Sequence, residues 1–320
     1  VLLLEVMNLP RCLLPLGLGL LGLSFLTAGA APLRVLYFTK SAGYEHSAIK
    51  RTDGQPSYSE KVLTVLGKAH DIDFTFSKDG SLFSPEYLAK FDVIMFYTTG
   101  DLTSVGTDGQ PAMSPAGKQA LLDAVAGGKG FVGLHCASDT FHTFEHGGGN
   151  PPPRENRYQN NGDKADPYIK MLGAEFIMHD AQQVSKAMVQ DPSFPGCGAL
   201  DNAIEVTEEW YTLKDFAPDM HVLLVLDTSA MTGPDYQRPS YPIAWARAYG
   251  KGRVWFDAMG HREDVWDNPK FQAMLLGGLD WAGGGGWGGR PPPTADIPPN
   301  LKTAAPGAYD LQKMPPPAAK

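Results

Sequence analysis

Between residues 33 and 134, short apolar runs alternate with stretches whose apolar positions recur every three or four residues, the rhythm of strands separated by amphipathic helices. Residues 33–39 read as a first strand feeding a loop over 40–46, residues 58–69 as a helix, and 72–76 as a strand. A further strand over 91–97 stops at Thr98-Thr99-Gly100-Asp101. Ser114 followed by Pro115 is an N-cap with proline at the first turn and predicts a helix through Ala126. Gly130-Phe131-Val132-Gly133-Leu134 then reads as a buried strand that runs into a sharp turn at His135-Cys136-Ala137-Ser138-Asp139. An open α/β sheet presents at its carboxyl edge whatever follows such a strand, so His135 is a candidate site residue. The β-α-β order predicts a parallel sheet with right-handed crossovers.

The pattern changes after this turn. Residues 141–166 are rich in Gly, Pro, Asn and charge and read as a long surface loop. A helix over 168–172 ends at Gly173, and 174–179 leads outward to His179. Short strands over 184–189, 204–206 and 222–226 are expected to extend the sheet in mixed orientation. Residues 243–248 and 253–256 form a predicted hairpin through Tyr249-Gly250-Lys251-Gly252, and its second strand delivers His261 just as the strand over 130–134 delivers His135. A closing helix runs over 268–282, and a tail rich in glycine and proline over 284–320 is expected to lie extended on the domain or to be disordered.

Composition narrows the class. The 320 residues are 43% hydrophobic, enough for a sizeable core. At the amino end, Arg11 precedes an apolar run over 13–26 and then Ala28-Gly29-Ala30, the pattern of a cleaved signal peptide over 1–30, in which residues 1–6 read as an upstream extension before Met7. The expectation is an exported chain, periplasmic or extracellular, with a single domain over 31–283 and no stable membrane span once the leader is removed. Loss of Glu5 and Arg11 together leaves the net charge at −8, which provides no basic footprint for nucleic acid. Cys136 and Cys197 could pair or remain buried thiols, and the absence of CxxC spacing argues against a zinc knot.

The candidate chemistry gathers at strand ends. An imidazole can move protons or bind a metal, so His135 and His261 are assigned proton transfer, with Glu263 orienting His261. His46, His135, His179 and His261 could instead hold a divalent ion such as zinc, manganese or nickel, with Asp139 nearby. Glu209-Trp210-Tyr211 places a carboxylate beside two aromatics, which suits a sugar ring that stacks on an apolar face and shares its hydroxyls with charge. Tyr44, His46, Asp101 and Asp139 complete the substrate-binding candidates. The plain alternative for each histidine is a hydrogen-bonded residue capping the sheet or a solvated loop. His142, Glu145 and His146 read as solvated loop residues, and Gly147-Gly148-Gly149 lacks the following Lys-Ser/Thr of a phosphate loop.

Several landmarks in order resemble the ThuA-like (trehalose utilisation) family: Gly43-Tyr44-Glu45-His46, Gly133-Leu134-His135, Leu172-Gly173-Ala174-Glu175-Phe176 with His179, Glu209-Trp210-Tyr211, Pro242-Ile243-Ala244-Trp245 and Gly260-His261. The resemblance covers residues 33–282. It implies a class I glutamine amidotransferase-like fold, a flavodoxin-like three-layer sandwich around a mostly parallel sheet, whose elbow usually carries a nucleophilic cysteine. Here His135 holds that place by strand phase and Cys136 falls one residue late, so acyl-thioester chemistry is not expected. His261-Arg262-Glu263 matches the histidine-x-glutamate of that triad. Asp191-Pro192 stands where the family commonly has a His-Pro pair. The function these residues imply is carbohydrate metabolism: hydrolase, lyase or isomerase chemistry on trehalose, another glycoside or a keto-sugar. The alternatives are a non-catalytic sugar-binding or assembly module and an amidohydrolase using Cys136.

Overall fold

A computed structural model describes residues 31–143, 158–285, 293–294 and 296–307. The expected signal peptide, Glu145, His146 and parts of the long loop and of the tail lie outside the described residues.

The first half follows the alternation of the sequence. Strands β1 (Leu33–Phe38), β2 (Ile72–Ser77), β3 (Val93–Phe96) and β4 (Gly130–Leu134) pair in parallel in the order β2-β1-β3-β4. Helix α1 (Tyr58–His70) starts in a capping box in which the Ser57 side chain and the Glu60 carboxylate satisfy each other's backbone N–H groups. After α2 (Pro85–Leu88), α3 (Pro115–Ala126) has the expected Ser114 cap and Pro115 in its first turn. Strands β3 and β4 are buried throughout because helices cover both faces. On one face α6 (Pro269–Ala282), which follows the short α5 (Glu263–Trp266), packs on β4, while α4 (Pro167–Leu172) packs from the other. The glycines of β4 make this possible. A Cβ at Gly130 would lie 2.5 Å from the Ala282 carbonyl oxygen, and one at Gly133 would lie 2.9 Å from Leu172 Cδ1.

The second half corrects the expected fold class. β11 (Gly252–Asp257) joins β4 in parallel, but from there β10 (Tyr241–Tyr249), β9 (His221–Leu226), β6 (Gln183–Val189) and β7 (Ala203–Glu208) continue with antiparallel pairing at every step. The result is a nine-stranded mixed sheet, half parallel and half antiparallel, rather than a mostly parallel flavodoxin-like sandwich. β5 (Glu175–Met178) and β8 (Thr212–Lys214) leave the main sheet and form a separate two-stranded sheet. The physical reason is connectivity. Residues 241–257 turn back through a tight hairpin, and antiparallel neighbours need no crossover helix.

Four successive reversals return β7 to the direction of β11, so their carboxyl ends lie at the same edge of the sheet. A flat sheet would separate these two strands by roughly 19 Å at about 4.8 Å per step. Contact between the Glu208 side chain and the Gly260 N–H therefore needs the two strand ends brought together, by the twist of the sheet and by the reach of the turn after β11. Register shifts in the pairing of β9 with β10, between Pro242 and Trp245, lie at this edge. The tail is ordered where described: Asn300 bonds Met220 and Val222 beside β9, and α7 (Leu301–Ala304) buries Leu301. Among the described residues, no helix is long and apolar enough to cross a membrane.

Candidate metal centre

The turn after β4 positions the first ligand. His135 has a φ of 42°, a left-handed conformation uncommon outside glycine, and its buried ring points to the carboxyl edge. Its Nδ1 faces the Ala258 carbonyl at 2.8 Å. That nitrogen therefore carries the proton, and the Nε2 lone pair faces inward. The loops after β1 and β11 add His46 and His261, and Glu209 follows directly on β7. One atom from each of His46, His135, Glu209 and His261 lies within 4.8 Å of all the others.

Glu209 is the hub. Its Oε2 lies 3.0 Å from His261 Nδ1, 3.6 Å from His135 Nε2 and 3.9 Å from His46 Nε2. Burial alone would raise the pKa of this carboxyl, but hydrogen bonds and charge from His135 and His261 hold it well below the usual carboxylate range. Burial lowers the His261 pKa less than the Glu209 carboxylate, with Glu208 and Glu263, raises it, and the net direction is upward. His46 moves the opposite way. Burial, and then the neighbouring imidazoles, push it well below its ordinary value and keep the ring neutral, the form that binds metals. The His46 Nδ1 is buried without a hydrogen-bond partner, while its Nε2 is turned to the cluster and to the Tyr211 hydroxyl at 3.4 Å. Three imidazoles and one ionised carboxylate are a donor set suited to a divalent ion such as zinc, manganese or nickel. The residues thus fit the expected metal.

Other candidates fall elsewhere. Glu263 does not orient His261; it accepts a hydrogen bond from Ser47 Oγ at 2.5 Å, and the carboxylate paired with His261 is Glu209. His179 stands beside the centre instead of in it. Its Nδ1 is 3.0 Å from the Asp180 carbonyl and 3.5 Å from Glu209 Oε1, and its ring stacks on Tyr211. Trp210 is fully buried, with Nε1 donating to the Gln183 carbonyl, so it offers no face to a sugar. Tyr211 is a buried wall packed between His135 and Phe176. Asp101 caps its own turn through the N–H and hydroxyl of Thr103. Asp139 pairs with His142, whose side chain is only 11% exposed and not solvated as the sequence suggested, and which also reaches Glu175 at 3.2 Å. Tyr44 is 68% exposed with its ring edge-on to His46, at the mouth of the cluster. Cys136 and Cys197 are free and buried, and burial pushes the Cys136 thiol well above its ordinary pKa, which removes the thiolate an amidohydrolase needs.

Gln182 was not anticipated. Its side chain lies 2.9 Å from His261 Nε2 and accepts from Arg262, holding the imidazole from its outer side. Glu208 was likewise unanticipated, although the two-residue rhythm of Ile204, Val206 and Glu208 marks it as inward-facing.

Fold and site together define a mixed-sheet α/β protein with a buried three-histidine, one-glutamate centre at its strand ends. The trehalose utilisation (ThuA) family model matches residues 34–282, and the chain belongs to that family, whose context is carbohydrate metabolism. Solved structures share the fold. A ThuA-like protein from Bacteroides uniformis aligns with a TM-score of 0.56 at 18% identity, over 79% of this chain and 92% of that one. Another from Parabacteroides merdae gives 0.54 at 18% identity, over 84% and 95%. A protein from Salmonella typhimurium, described as cytoplasmic, gives 0.46 at 14% identity, over 78% and 99%. The expectation of an exported, periplasmic or extracellular chain is corrected to no assigned address: residues 1–30, on which it rests, lie outside the described ones. No curated protein matches the chain.

Proposed function

We propose that this protein is a metal-dependent enzyme of carbohydrate metabolism, a hydrolase, lyase or isomerase acting on a small sugar or glycoside. The carrying observation is the convergence of His46, His135, Glu209 and His261 within 4.8 Å at the carboxyl edge. A divalent ion held there would supply Lewis-acid polarisation of a sugar hydroxyl or carbonyl. Glu209, kept ionised, serves as a ligand and not as an acid. His135 is fixed by Ala258 and His261 by Gln182, which leaves proton exchange to His179. With its Nδ1 against the Asp180 carbonyl, His179 keeps an Nε2 lone pair, and its side chain is 37% exposed. Tyr44, exposed beside His46, would stack on a sugar ring at the entrance.

The test combines metal analysis of purified protein with turnover of trehalose, other disaccharides and their keto derivatives. Bound metal and turnover are expected in the native chain, with both lost in His135→Ala and His261→Ala. Saturable sugar binding without product, unaltered in both variants, would replace the enzyme with a binding module.

A further inference from the structure

The residue before Glu209 is also a glutamate, and it has a different environment. Glu208 ends β7 and is fully buried. Its Oε1 accepts the Glu209 backbone N–H at 2.8 Å, and its Oε2 accepts the Gly260 N–H at 2.9 Å. A buried carboxylate normally demands a cationic partner, because its desolvation costs several kcal/mol. Among the described residues this one is hydrogen-bonded to two backbone N–H groups. One belongs to a metal ligand, and the other to the residue immediately before a second ligand, His261.

The Gly260 peptide is otherwise held from its carbonyl side, where Tyr97 Oη donates at 3.0 Å and Trp266 Nε1 at 2.8 Å. Its φ of 113° is a conformation glycine takes readily and other residues do not. A single carboxylate thus ties the end of β7 to the turn after β11, although three strands lie between them in the sheet. We propose that Glu208 is a positioning residue for the metal centre, clamping the backbones that carry Glu209 and His261 so that carboxylate and imidazole stay at ligand spacing. This inference rests on the metal reading of the site. It assigns a function to a buried charge that core packing alone does not require.

Glu208→Gln keeps the volume but turns an amide NH2 toward a backbone N–H, so one of the two tethers breaks. Glu60, the buried capping glutamate of α1, bonds Ser57 and Arg51 and none of the four ligands, and provides a control through Glu60→Gln. Metal-stripped full-length protein is titrated calorimetrically with zinc, manganese and nickel ions in separate runs, and the melting temperature of each metal-free variant is recorded. The expected result is binding about 10- to 100-fold weaker in Glu208→Gln. Glu60→Gln should match wild type in affinity while also melting lower. Should Glu208→Gln fail to fold, Glu208→Asp, which keeps the charge but is one methylene too short to span both N–H groups, carries the same expectation. Wild-type affinity in the Glu208 variant, or an equal loss in Glu60→Gln, overturns the positioning role and leaves the metal centre standing. Failure of wild type to bind any of the three ions overturns the metal reading itself, and the proposal with it.

Discussion

His142 shows how a residue's neighbours can reverse the effect of its burial. Burial alone would lower its pKa, but the Asp139 and Glu175 carboxylates, one near each ring nitrogen, raise it to about 9. Its unfolded value is near the ordinary one of about 6.5, so the protonated ring contributes stability that is fully present below that pH and is lost as pH rises toward the folded value. The loss should be on the order of 2 kcal/mol, read as the difference in urea stability between pH 6 and pH 9.5. His142→Gln should flatten that slope. An unchanged slope would show that another group sets it. Neither the sign nor the size of this effect was legible beforehand, because Asp139 lies three residues away while Glu175 lies on a different strand. The candidate site divides in the same way. His46, His135 and His261 could be found because each follows a strand. Glu209 could be found as a site carboxylate but not as the partner of His261, since Glu263 is two residues from His261 in sequence and Glu209 is the one near it in space.

At the scale of the element, β4 shows how tightly close packing constrains a strand. A Cβ at Gly130 would meet backbone of α6, which cannot give way, whereas one at Gly133 would meet side chains, those of Leu172, Phe256 and Ala137. Gly130→Ala should therefore cost about 2 kcal/mol and Gly133→Ala about 1 kcal/mol or less, measured by urea unfolding. The reverse order would place the tight contact on the α4 face. The glycines could be read as signs of close approach, yet the neighbour each one admits depends on helices 30 or more residues downstream. β1, β3 and β4 were legible for a simpler reason: buried parallel strands are nearly continuous apolar runs, whereas β2, at the edge of the sheet, alternates. β5 and β8 were not, since a short strand pattern is the same whether it joins the main sheet or pairs apart from it.

For the whole molecule, the docking of the tail matters most. Residues 296–305 bond β9 through Asn300, accept from His221 at the Pro298 carbonyl and bury Leu301 and Ala305. Deletion of residues 296–320 should lower unfolding free energy by about 2 kcal/mol, the value of a buried leucine with its attendant bonds, and leave metal affinity unchanged. A loss of metal binding on deletion would mean that the strap supports the strand ends as well as β9. Composition alone allowed a tail either docked or free. Docking depends on the partners β9 offers, which appear only when the strand is in place.

The sequence by itself determined the parallel half of the sheet, the helices that cover it, the family to which the chain belongs and the histidines at three strand ends. Each of these is local, set by apolar period, capping residues and turn chemistry within a few positions. Tertiary structure decided the rest: four antiparallel pairings, the approach of the end of β7 to the turn after β11, and with it the choice of Glu209 as the shared carboxylate and Glu208 as its buried neighbour. Strand order and sheet twist are properties of how elements pack on one another, and residues more than 50 positions apart become neighbours only when that packing is complete.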